Sequence, residues 1–175
     1  MPREQALGIM AAIAVIVLAL MWWGWRGRQR RSAPLVGALP AIPEQPGQPT
    51  CGPIEGVYVT STTHGDWLDR VAAQDLGYRA KSHATVFSHG VLFERTGAKD
   101  VYIPGEQITG VTTAPGIAGK FTGGDGIIVI SWGVDAKYGE TTELDTGFRT
   151  EFKKDRDPLV AAVNDIIVSQ SKETK

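Results

Sequence analysis

Ala6 to Trp25 (ALGIMAAIAVIVLALMWWGW) is a run of twenty residues without one charge. As a helix rising about 1.5 Å per residue it covers about 30 Å, the hydrocarbon thickness of a bilayer. The competing readings are a cleaved leader and a buried core helix. A leader ends in small residues at its cleavage site, whereas this run ends in Trp22, Trp23 and Trp25 and passes into arginines. Tryptophans at the end of an apolar run suit the membrane interface. The expectation is one retained transmembrane helix, with residues 1–31 forming an anchor and its basic flank. Arg26, Arg28, Arg30 and Arg31 follow the run and Arg3 alone precedes it. The positive-inside rule then places a single-pass chain in the cell membrane with its C-terminal domain on the cytoplasmic side.

Residues 32–54 read as a linker. Six prolines (Pro34, Pro40, Pro43, Pro46, Pro49 and Pro53) fix φ and remove N–H donors, which disfavours helix and interior strand. The expected role is a passive spacer reaching at most about 65 Å when fully extended.

Residues 55–175 hold the expected folded domain. They carry 13 basic and 17 acidic residues, a net −4, against +3 for the segment before them. The acidic balance argues against nucleic-acid binding by phosphate neutralisation. One cysteine, Cys51, excludes a disulfide scaffold and a cysteine-built metal site, and three histidines leave little for zinc.

Strand patterns dominate the domain. They cover Val57–Thr62, Tyr78–Phe87, Val91–Thr96, Val101–Ile103, Gln107–Thr113, Gly126–Trp132 and Glu143–Phe152. Ser88-His89-Gly90 reads as a hairpin turn with Gly90 supplying positive φ. Gly126–Trp132 is the most apolar strand and is expected to be central, and Gly147 to mark a bulge or close approach. A short helix is expected over Asp66–Gln74. A better one follows Asp157 as N-cap and Pro158 as first residue, with Leu159, Val160, Val163, Ile166 and Ile167 on one stripe.

Sites with chemistry are scarce. The Gly-rich run Gly116–Gly126 has Ala114 and Phe121 where a P-loop needs Gly and Ser or Thr, and it precedes a strand, so it reads as a hairpin loop. His64, His83 and His89 with Ser82, Ser88 and Asp66 form no hydrolase motif. Asp66, Asp69 and His64 read as a solvated helix start rather than a metal site. Trp132 and Phe148 read as core, and Trp67 as part of a contact surface if exposed. No cofactor is expected.

Seven strands and a closing helix resemble the pleckstrin-homology-like (PH-like) fold. VYIPGEQITGV (Val101–Val111), GGDGIIVISW (Gly123–Trp132), LDTGFR (Leu144–Arg149) and the DPLVAAVNDI helix carry the resemblance. With the anchor, the chain resembles small membrane-anchored PH-like proteins of actinobacteria. The resemblance implies a mainly β fold, a seven-stranded partly open barrel with a C-terminal helix. It also implies a non-catalytic protein-interaction or scaffolding module with an unidentified protein partner, and homo-oligomerisation is open to it because some bacterial domains of this fold form rings. Two other roles are anionic lipid-headgroup binding and service as an accessory subunit of a membrane transport or export complex. Headgroup-binding members carry a basic residue on strand one and a basic-x-Arg pair on strand two. Arg70, Arg79 and Lys81 match that pattern loosely, although Arg70 falls on the expected helix and Asp66, Asp69 and Asp75 oppose a phosphate.

Overall fold

The computed structural model describes residues 3–32, 36–121, 126–136 and 139–173; the side chains of 3, 4, 6, 7, 25, 28–32, 120, 121 and 173 lie outside that description. Helix α1 runs Arg3–Ser32. Strands follow as β1 (Pro49–Thr63), β2 (Ala80–Phe87), β3 (Gly90–Arg95), β4 (Val101–Pro104), β5 (Ile108–Ala114), β6 (Gly116–Ile117), β7 (Lys120–Phe121), β8 (Ile127–Asp135) and β9 (Thr141–Thr150). Helix α2 (Arg156–Glu173) closes the chain. The fold is mainly β: a seven-stranded open antiparallel sheet, ordered β4-β3-β2-β1-β9-β8-β5, with a C-terminal helix.

The middle strand is β1, not the apolar β8. Its first half pairs with β2 through Ile54↔Ala84 and Tyr58↔Ala80, and its second half with β9 through Gly56↔Thr150 to Thr63↔Leu144. Between Tyr58↔Phe148 and Thr60↔Gly147 the register slips, leaving Val59 as an extra residue on β1. Such a bulge bends a strand and lets it serve two halves of a sheet. The bulge lies on β1, opposite Gly147. Gly147 itself is a close approach, since a Cβ there would sit 2.9 Å from Ile117 Cγ2.

Burial on both faces explains why β8 is so apolar. Ile128, Ile130 and Trp132 enter the main core with Tyr58, Phe93 and Phe148. Ile127 and Val129 point the other way, into a smaller cluster with Val59 and Ile117. The β6–β7 ribbon supplies Ile117, turning through Ala118 and Gly119 at positive φ. The Gly-rich run is therefore partly a cover for the sheet's outer face; its residues 122–125 lie outside the described residues.

Leu159, Val163 and Ile166 of α2 are buried in the main core. A Cβ at Gly105, on the turn joining the edge strands β4 and β5, would meet Ile166 Cγ2 at 2.7 Å. The helix starts at Arg156, so Asp157 lies inside its first turn and accepts from Arg156 Nε at 2.9 Å instead of capping the helix.

Four other expectations change. The folded unit begins before residue 55: Val36 is buried in the core, Gly37 N–H donates to the Asp135 carbonyl at 2.8 Å, and β1 starts at Pro49. Pro49 and Pro53 are tolerated because β9 pairing starts only at Gly56, leaving one side of the strand unpaired there. No α-helix forms over Asp66–Gln74. The segment turns back along β1 instead, with Val71 N–H donating to the Ser61 carbonyl and Thr63 N–H to that of Asp69, while the Asp66 carboxylate holds the Leu68 and Asp69 N–H groups. Gly90 has no positive φ; it pairs with Phe87, and a Cβ would press on the Ile103 carbonyl at 2.5 Å. Lastly, among the described residues no helix is long and apolar enough to cross a membrane. The fully described uncharged stretch, 8–24, covers about 26 Å at helical rise, short of the hydrocarbon.

The core also holds a polar chain. Tyr58 Oη and Ser61 Oγ are 2.6 Å apart, Ser61 Oγ and Thr146 Oγ1 2.7 Å, and Trp132 Nε1 donates to Thr146 Oγ1 at 2.9 Å. Thr146→Val keeps the shape and removes the acceptor. It should lower unfolding free energy by about 1–3 kcal/mol, the cost of an orphaned buried donor, measured as a fall in the urea midpoint at unchanged slope.

Candidate functional site

An open groove of about 810 Å³ lies where the start of the domain meets the β1–β2, β3–β4 and β8–β9 connections. Val36, Gly37, Gln74, Asp75, Lys99 and Asp135 are among the residues that line it. That volume suits a small ligand or the end of a peptide.

Its wall is built at some backbone cost. Gln74 (φ 53) and Asp75 (φ 59) are consecutive non-glycine residues in the left-handed region, a conformation that costs about 1–2 kcal/mol each. Side chains hold them there. Gln74 Nε2 donates to the Gly37 carbonyl at 3.1 Å, and Arg95 Nη1 to the Asp75 carbonyl at 2.8 Å. Arg95 Nε donates to the Lys99 carbonyl, so one guanidinium ties two walls together. The same group lies 4.5 Å from the Tyr58 ring centroid. Desolvation draws the Arg95 pKa below its ordinary value, partly offset by nearby Tyr58, Asp75 and Asp100.

A second polar cluster sits on the outer face of the sheet. His64 Nδ1 lies 2.9 Å from Asp145 Oδ1, and Ser131 Oγ donates to the same oxygen at 2.6 Å. Serine and histidine both address the carboxylate rather than each other, so this is no nucleophile–base relay. The cluster fastens the start of the β1–β2 connection onto β9. Among the described residues no group of three His, Cys, Asp or Glu side chains is placed to hold a metal. Asp66 is spent on backbone N–H groups and Asp69 accepts from Thr63 Oγ1 at 3.0 Å.

The basic trio does not converge on a site. The half-buried Arg70 bridges Thr62 and lays its side-chain stem near Gly77. Arg79 is exposed just before β2, and Lys81 is exposed on β2 opposite Val57. Trp67 and Leu68 are exposed in the β1–β2 connection, while Trp132 and Phe148 are fully buried. Arg26 Cζ lies 5.1 Å from the Trp22 ring centroid; the side chains of Ala6, Trp25, Arg28, Arg30 and Arg31 lie outside the described residues.

Sequence reasoning missed Arg95 and Asp145. Strand parity carried the signal for Arg95: Val91, Phe93 and Arg95 share the inward face of β3, so the arginine points where its neighbours do. Asp145 alternates with the buried Leu144 and Thr146 and so faces outward, beside Ser131 on β8.

The hydrogen bond to Asp145, the largest cause, and then its charge raise the His64 pKa above the usual value. A histidine raised in the folded state contributes stability that is complete below its unfolded pKa of about 6.5 and is lost as pH rises through the folded value. His64 is half exposed, so the effect is small. Urea midpoints of the native chain should fall as pH rises above about 6.5. In Asp145→Asn that part of the slope should flatten; an unchanged slope would contradict the assignment.

No curated protein matches the chain. The model of a family described as bacterial PH domain-like matches residues 36–164, from the buried Val36 into α2. With most of its length matched over the sheet and helix described above, the chain belongs to the bacterial PH domain-like family.

Proposed function

We propose that this chain is a non-catalytic interaction module held at the cytoplasmic face of the cell membrane by its N-terminal helix. Family membership supports the first half, since PH-like domains are generally non-catalytic and suggest an interaction role. The observation that carries the second half is the surface of α1. Ile9, Ile13, Val15, Ile16, Leu18 and Leu20 are all half or more exposed, spread around the helix. Each such side chain gains about 1.5–3 kcal/mol on leaving water, and a helix apolar all round needs a cover on every side. The uncharged run in the sequence extends two residues before the fully described stretch and one beyond it, to twenty in all. Lipid is the cover that matches this length and lack of sidedness. The arginines that follow suit an anionic cytoplasmic leaflet, at about 1 kcal/mol each.

Anchoring makes weak binding useful, because a tethered domain meets its partner at raised local concentration. Headgroup recognition is not favoured: Arg70, Arg79 and Lys81 do not converge on one site, and Asp66, Asp69 and Asp75 share the connection that holds Arg70.

The test is alkaline extraction of native membranes. The full chain should remain in the pellet. An Ile13→Lys/Val17→Lys variant should move to the supernatant, because each lysine costs about 2.5–3.5 kcal/mol at mid-bilayer. Release of the unmodified chain by alkali would overturn the anchoring.

A further inference from the structure

We infer that residues 36–39 form a strap that holds the domain against the membrane, with its groove-bearing pole turned toward the bilayer. The inference rests on reading α1 as the membrane anchor, and names the surface that the module presents to a membrane-bound partner.

The strap is short and well held. Val36 is 3% exposed and lies in the main core, and Leu39 packs against that core. Gly37 is bonded through both of its backbone groups. Its N–H donates to the Asp135 carbonyl at 2.8 Å, and its carbonyl accepts from Gln74 Nε2 at 3.1 Å. Those partners sit at the end of β8 and in the β1–β2 connection, beside the β3–β4 turn that carries Lys99. The chain coming from the anchor therefore enters the domain at the pole that holds the groove. Pro40, Pro43 and Pro46 come after this point. They lead to Pro49, which pairs with Phe87 beside the β2–β3 turn at the opposite pole. The proline-rich stretch thus runs from pole to pole of the domain and adds nothing to the distance between domain and membrane.

Lengths then decide the orientation. Beyond the uncharged run, α1 continues over residues 26–32, a rise of about 10 Å. The peptide steps from Ser32 to Val36 add at most about 14 Å. Val36 therefore stays within about 25 Å of the end of the apolar run. A domain of this size is about 35 Å across. Turning the β2–β3 end toward the lipid would need a tether longer than the one available. Lipid charge is not the grip, because Asp75 and Asp135 outnumber Lys99 at the groove and gain nothing from an anionic leaflet. A partner that meets this pole must itself lie close to the bilayer, as the cytoplasmic flank of another membrane helix does.

The experiment is nuclear magnetic resonance of the isotope-labelled full chain in lipid nanodiscs that carry a gadolinium chelate on some headgroups. Amides of Gly37, Gln74, Lys99 and Asp135 should relax several-fold faster than those of Ser88, His89 and Gly105. The contrast should be the same in zwitterionic and anionic discs. A Gly/Ser insertion of about forty residues between Ser32 and Ala33, with an r.m.s. reach of about 35 Å, leaves the strap and core intact and should erase most of the contrast. Val36→Asp should erase it as well, by freeing the strap, with unmoved β8 and β9 amide shifts as the sign that this variant folds. Equal relaxation at the two poles would overturn the strap, as would a contrast that survives the insertion or vanishes in zwitterionic lipid. With the amides of 8–24 protected in the disc, such a result leaves the anchoring reading standing. If 8–24 are unprotected and no amide relaxes faster, the anchoring and the strap fall together.

Discussion

Strand β1 is the constraint on which the rest of the structure depends. It is fifteen residues long and pairs on both sides only in its middle. Its N-terminal part belongs to β2, β3 and β4, and its C-terminal part to β9, β8 and β5. The slip at Val59 lets one strand join both halves. Glycine is required next to this joint, because a Cβ at Gly56 would press into the Arg149 carbonyl. With the halves joined, α2 has a core to close, and Leu159, Val163 and Ile166 fill it.

The same strand organises the polar interior. Tyr58 and Ser61 lie on it, linked to Thr146 and Trp132. The Tyr58 ring also receives the Arg95 guanidinium; burial raises the phenol's pKa above its ordinary value, partly offset by the Ser61 hydrogen bond and the Arg95 charge. Arg95 then fixes the left-handed turn at Asp75 that walls the groove. The groove is thus a consequence of how β1 is dressed on its inner side, and its shape is tied to the core.

Much of this was legible from residue patterns. Alternation located the strands, and the stripe on α2 named the residues it buries. The departures have physical causes. Prolines at 49 and 53 concealed strand, because a strand paired on one side does not need their N–H groups. Trp67, Leu68, Val71 and Ala72 looked like a helix face. Only Val71 is fully buried, since hydrogen bonds to Ser61 and Thr63 draw the segment into extended pairing that no local pattern encodes. The apolar β8 suggested a central strand, but its outer face is covered by Ile117 from a ribbon whose glycines read as loop. The groove was the least legible part. It assembles residues 36–38, 72–75, 99 and 135–136, distant in sequence, and only the inward parity of Arg95 announced it.

Two unlike parts therefore define the protein: an exposed apolar helix, for which a lipid cover is the proposed partner, and an open β sheet closed on one face by α2. The most direct measurement of their separate roles is amide hydrogen exchange of the full chain, compared in bilayer nanodiscs and in lipid-free solution. Amides of residues 8–24 should be strongly protected only in the bilayer, while those of β1, β8 and β9 are protected equally in both. Equal protection of the helix without lipid would mean that protein covers it, and would contradict the account.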